Sequence, residues 1–230
     1  MPLTSAQIVA DALAIAKCPG FTAQGGRALN LVLADLVTHR NLKVNCITSE
    51  ISVPANSNGP FNLPLNYLRT YDIFYMIDDE PYFLTPSSRV QFDSEPSKST
   101  TSSYPNTWTS DLSPVANQLP GQLYINPRSN QQLTLTHRFM CKRDDIVIPE
   151  TNQSIPWFED QDYLIHATAL RMMRITDDSR YSIFEGDCTR MLFHHLLTEG
   201  DEQQVLKTIA LDPRRFRSNS RLKSTKTDPW

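Results

Sequence analysis

The stretch Ile155-Pro156-Trp157-Phe158-Glu159-Asp160-Gln161-Asp162-Tyr163-Leu164-Ile165 decides how the rest of the chain is read. Glu159, Asp160 and Asp162 suit the positive end of a helix, and Tyr163, Leu164, Ala167 and Leu170 then recur at helical spacing. A helix therefore opens here. Pro156, Trp157 and Phe158 precede it, and together with Tyr163 they read as the anchor that staples the entering chain to a helical layer. Trp157 could also serve as a platform for a sugar or a base, but its Pro and Phe neighbours favour packing.

Further along, Phe184, Cys188, Met191, Leu192 and Leu196 form a second stripe, with Asp177-Asp178-Ser179-Arg180 lying between the two helices. Two amphipathic stripes need partners, and the start of the chain offers them. Thr4 and Gln7 form a capping-box pattern ahead of Ile8, Ala12, Ile15 and Ala16, and Cys18-Pro19-Gly20 stops that run. Leu29, Val32, Leu33, Leu36 and Val37 make a second stripe after Gly25-Gly26, ending near Asn41.

Between the helical ends the period changes to two. Tyr71, Ile73, Tyr75 and Ile77 lead through Asp78-Asp79-Glu80-Pro81 into Tyr82-Phe83-Leu84, which predicts a hairpin. Leu123-Tyr124-Ile125 and Leu133 to Phe139 are expected to pair around Pro127-Arg128-Ser129-Asn130. Ten prolines from Pro54 to Pro127 exclude long helices here, and the Ser/Thr-rich stretch within 94–120 predicts a long exposed loop.

The predicted class is α+β: a helical bundle built from both chain ends, an inserted antiparallel β domain and an extended C-terminal arm. The expected boundaries are 1–42 for the N-terminal helices, 43–154 for the β domain, 155–211 for the C-terminal helices and 212–230 for the arm.

Composition is that of a globular chain, with 40% hydrophobic and 20% charged residues and a net charge of -3. The charge is unevenly spread. Residues 212–230 carry six basic side chains against Asp212 and Asp228, a net +4, which leaves -7 on residues 1–211. Cys18, Cys46, Cys141 and Cys188 lack the paired spacing of metal ribbons and read as free thiols. Neither a signal-peptide pattern nor a bilayer-length apolar run is found, so a cytosolic origin without membrane association is expected.

Catalytic signatures are missing. Gly25-Gly26 is not followed by Lys-Ser or Lys-Thr, and no Gly-x-Ser-x-Gly elbow occurs. His194 and His195 are adjacent, whereas two helical ligands of one metal need i, i+4 spacing. The acidic groups at 78–80, 144–145, 159–162 and 177–178 fall at expected turns and helix ends, so no catalytic, cofactor or metal residue is assigned. Arg69, between Tyr67 and Tyr71, suits either an internal contact or an interface.

The order of these pieces carries a resemblance. Leu63-Pro64-x-x-Tyr67-Leu68-Arg69, Leu123-Tyr124-Ile125-x-Pro127, the 135–139 strand, Asp145-Ile146 with Pro149, Ile155-Pro156-Trp157-Phe158, Asp177-Asp178-x-Arg180 and Leu211-Asp212-Pro213-Arg214-Arg215-Phe216 follow one another over residues 4–217. Taken together they resemble the head-to-tail adaptor (connector) proteins of short-tailed bacteriophages.

The resemblance implies a structural virion protein of the neck, assembled in the bacterial cytoplasm as a dodecameric ring below the portal. Its expected partners are copies of itself, the portal protein, and tail nozzle or tail fibre proteins. Genomic DNA would pass through its channel without sequence-specific binding. The portal-binding arm would comprise Arg214, Arg215, Phe216, Arg217, Arg221, Lys223, Lys226 and Trp230. No enzymatic activity and no cofactor are implied. Two other readings stand beside it: a cell-wall hydrolase using two of the acids, and a DNA-binding protein using the basic tail.

Overall fold

The computed structural model describes residues 2–94, 101–102, 104–113, 115 and 119–198. The residues expected to form the portal-binding arm, Arg214 to Trp230, lie outside the described residues.

Helix α1 spans Ser5–Ile15 and opens with the expected capping box: the Gln7 amide donates to the Thr4 hydroxyl and the Thr4 amide donates to the Gln7 side chain. Helix α2 spans Thr22–His39, which takes Gly25 and Gly26 inside the helix rather than ahead of it. The reason is packing against α1. A Cβ at Gly25 would lie 3.0 Å from a Val9 methyl and 3.1 Å from Leu13, tighter than ordinary van der Waals contact, so glycine eases the close approach of the two helices.

A short 3-10 turn at Lys43–Asn45 leads into strand β1, Cys46–Val53. The strands that follow are β2 (Phe61–Asn62), β3 (Tyr67–Ile77), β4 (Glu80–Phe83) and β5 (Thr85–Pro86). Helix α3, Arg89–Ser94, precedes β6 (Thr101–Ser102), β7 (Thr107–Asp111), β8 (Gln122–Asn126), β9 (Arg128–Ser129) and β10 (Leu133–Cys141). The predicted hairpin is present. Asp78 and Asp79 both adopt positive φ, 49° and 66°, as a two-residue turn between right-twisted strands demands, and Phe74 pairs with Phe83.

Two four-stranded sheets result, ordered β1-β10-β3-β4 and β2-β8-β7-β5. The expected pairing of β8 with β10 is therefore wrong. Strand β10 has both edges occupied, by β1 and β3, and β8 pairs instead with β2 and β7 in the second sheet. Strand β7 lies within the stretch expected to be a long loop, where Trp108 pairs with Ile125. The sheets are mostly antiparallel, but the β5–β7 and β6–β9 pairs are parallel. Ile51, Ile73 and Leu135 of the first sheet share one apolar cluster with Leu123 and Ile125 of the second, so the two sheets enclose a common core.

Helices α4 (Gln161–Thr176) and α5 (Tyr181–Thr198) complete the described chain. Asp160 caps α4 by accepting from the Tyr163 amide at 2.9 Å, and Asp177 ends it in the left-handed region. The fold is α+β. A second apolar cluster draws Ile8 and Leu13 from α1, Leu29 and Leu36 from α2, Leu164 and Met172 from α4, and Cys188 from α5.

Arg69 on β3 ties this helical cluster to the first sheet. Its guanidinium donates to the carbonyls of Thr38 (2.7 Å), Arg40 (2.6 Å) and Val37 (3.3 Å) and to the Asn41 side chain (2.8 Å). These are the carbonyls that the end of α2 leaves without helical partners. The internal contact open to Arg69 in the sequence is present, as hydrogen bonds to carbonyls and to Asn41. Arg180 acts similarly at α1, donating to the Ile15 carbonyl at 3.0 Å while held by Asp178. Hydrogen bonds from the Arg180 side chain and amide draw the Asp178 carboxyl down to about 2.

Candidate interaction groove

Pro156 and Phe158 are buried, the latter 1% exposed, while Trp157 and Tyr163 are half-buried. Phe158 is thus the inner member of the anchor, packing edge-on against Trp157 and Tyr163 and 4.6 Å, centroid to centroid, from the His195 ring. Trp157 borders a space of only about 10 Å³ with Asn30, Val37 and Arg143 to Asp145. That is roughly the size of a single water site, too small for a sugar or a base.

His195 packs on Phe158 through the stripe of α5, as its neighbours in sequence predict. Asp78 and Asp79 form the exposed hairpin turn, Asp160 caps α4, and Asp178 holds Arg180. Among the described residues no three of His, Cys, Asp and Glu gather in a metal-holding group, and no helix is long and apolar enough to cross a membrane. Cys18, Cys46, Cys141 and Cys188 form no disulfide, and burial pushes the Cys188 thiol up to about 11.

His137 is buried on β10 and its Nε2 lies 3.1 Å from the Thr70 hydroxyl, which in turn contacts the Tyr67 hydroxyl at 3.0 Å. Burial pulls the imidazole down to about 4 and keeps it neutral. Nδ1 has no hydrogen-bond partner among the described residues. With the Tyr67 and Phe139 rings packed against the imidazole, it reads as a packed polar cluster.

The large concavity lies elsewhere, in a groove of about 780 Å³ between α2, α4 and α5. Its floor is apolar, formed by Ala28 and Val32 of α2, Ala167 and Leu170 of α4, and Cys188 and Leu192 of α5. Along its walls Leu31, Ile175 and Phe193 are 54%, 63% and 52% exposed among the described residues. Arg27, Arg40, Arg171 and Arg174 rim it against only two carboxylates, Asp35 and Glu185. Arg171 pairs with Asp35.

The apolar stripe of α5 was legible in the sequence. That the stripe is only partly covered was not, because periodicity identifies a face without identifying what meets it. Of the residues assigned to the anchor, Tyr163 alone lines this groove, and burial pushes its hydroxyl up to about 12. A second apolar surface lies on the β3–β4 hairpin, where Met76 and Phe83 are 51% and 57% exposed. No protein-family model matches this chain, and no curated protein matches it in sequence.

Proposed function

We propose that the chain is a structural head-to-tail adaptor of a short-tailed bacteriophage, a non-enzymatic subunit of a ring, twelvefold by analogy, seated below the portal. The observation that carries this reading is the ordered run of motifs from Leu63-Pro64 to Leu211-Asp212-Pro213-Arg214-Arg215-Phe216. On this reading the helices of both chain ends form a bundle and the β unit is its insertion. The helical cluster shared by α1, α2, α4 and α5 supports that arrangement.

A ring subunit must present two different faces to its neighbours, so part of its apolar surface stays uncovered until assembly. The exposed hairpin face at Met76 and Phe83 supports such a role, because an apolar patch left to water often marks an interaction surface. The arm from Arg214 to Trp230 supplies cations for approach and aromatic anchors for grip, and would engage the portal. Tail nozzle or fibre proteins would attach below. The -7 carried by residues 1–211 suits a channel wall that repels phosphate and lets DNA pass without sticking.

Truncation after Leu211 tests the reading. The shortened chain is expected to fold and to lose its association with portal rings. A truncated chain that still joins the portal would remove the arm from the account.

A further inference from the structure

The groove between α2, α4 and α5 opens beside the end of the described chain, and the sequence that continues from α5 has the pattern to fill it. After Thr198 comes Glu199-Gly200-Asp201-Glu202-Gln203-Gln204-Val205-Leu206-Lys207-Thr208-Ile209-Ala210-Leu211, and Pro213 follows. Val205, Leu206, Ile209 and Ala210 stand at i, i+1, i+4 and i+5, within one helical face. Asp201 and Gln204 have the spacing of a capping pair, and Pro213 cannot continue a helix.

We propose that the apolar face of residues 202–211 packs into this groove within the same chain and covers Leu31, Ile175 and Phe193. Reach, length and charge argue for this occupant. Three connecting residues, 199–201, span about 10 Å when extended, which matches the 8–10 Å between packed helices. A ten-residue helix is about 15 Å long, well inside the roughly 27 Å of the 18-residue α5. The groove rim carries four arginines and two carboxylates, of which Arg27, Arg40 and Arg174 pair with no described acid. Glu199, Asp201 and Glu202 bring three negative charges to that rim as the chain turns back. The basic run beginning at Arg214 lies beyond this face, so the arm would leave from the end of the groove. The inference stands without the adaptor reading, and its test needs no portal.

The test places a photo-crosslinking benzoylphenylalanine at Leu31 in the full-length protein and maps the crosslinked peptides by mass spectrometry. The expected product is an intrachain crosslink from position 31 to residues 202–211, in a species of single-chain mass. Ile209→Asp should abolish it and raise the fluorescence of the apolar dye ANS several-fold. Crosslinks found only at twice the chain mass would assign the groove to a second copy and overturn the proposal. Crosslinks that avoid 202–211, or an Ile209→Asp variant indistinguishable from the parent in both readouts, would overturn it as well.

Discussion

Replacing Arg69 by Met probes the joint between the helical cluster and the first sheet. The substitution keeps an unbranched side chain of similar reach and deletes only the guanidinium, so packing changes little. Four hydrogen bonds disappear, three of them between 2.6 and 2.8 Å. A hydrogen bond to a charged group contributes about 1.5–3 kcal/mol when its partner is buried. This site is half-buried, and water can reach some of the carbonyls once the cap is gone. Taking roughly 1 kcal/mol for each of the three short bonds gives a loss of about 3 kcal/mol.

For a chain of this size that corresponds to a fall in Tm of about 6–12 °C. Urea unfolding should show a lower midpoint with an unchanged slope, because the surface exposed on unfolding is the same. Hydrogen exchange should accelerate first at Val37 to Asn41, the end of α2 and the two residues that follow it. Arg69→Lys should recover only part of the loss, since an ammonium cannot serve four acceptors in a planar fork. A change of less than 0.5 kcal/mol in Arg69→Met, or full rescue by Lys, would refute the capping argument.

Phe158→Ala should destabilise by about 3–5 kcal/mol, whereas Trp157→Ala should cost less than half as much because Trp157 is half-buried; chemical denaturation of the two variants decides, and equal losses would contradict the assignment of Phe158 as the inner anchor. His137 is held near pKa 4 against about 6.5 in the unfolded chain, so the unfolded state takes up a proton first. Stability should be complete above pH 6.5 and fall by up to about 3 kcal/mol as pH drops toward 4; His137→Gln should flatten that slope in urea titrations across the window, and an unaltered slope would count against it. Gly25→Val should push Val9 and Leu13 apart and cost about 1–3 kcal/mol in thermal melts, while a neutral result would mean that α1 and α2 can separate without penalty.

Local chemistry was readable in the sequence, and long-range pairing was not. Thr4 with Gln7 announced the start of α1, and Asp78-Asp79 announced the hairpin, because each signal is completed within four residues. The placement of β8 escaped, since alternation in Leu123-Tyr124-Ile125 says that one face is buried without saying which strand lies beside it. Gly25 and Gly26 were placed ahead of the second stripe but sit inside α2, where tertiary contacts offset the low helix propensity of glycine. Arg69 was visible as an unusual cation, yet its partners lie about thirty residues away in the chain. The groove followed the same rule: its apolar stripes were read one helix at a time, and its existence depends on how three helices are spaced.

The proposed adaptor role requires that this chain assemble on a portal. Native mass spectrometry of the full-length protein, alone and after mixing with the cognate portal rings at moderate salt, tests it most directly. The expected result is one added copy per portal subunit, in an association that survives an increase in salt, as anchoring by Phe216 and Trp230 alongside the arginines would require. A protein that remains free of the portal at every ratio would contradict the adaptor reading.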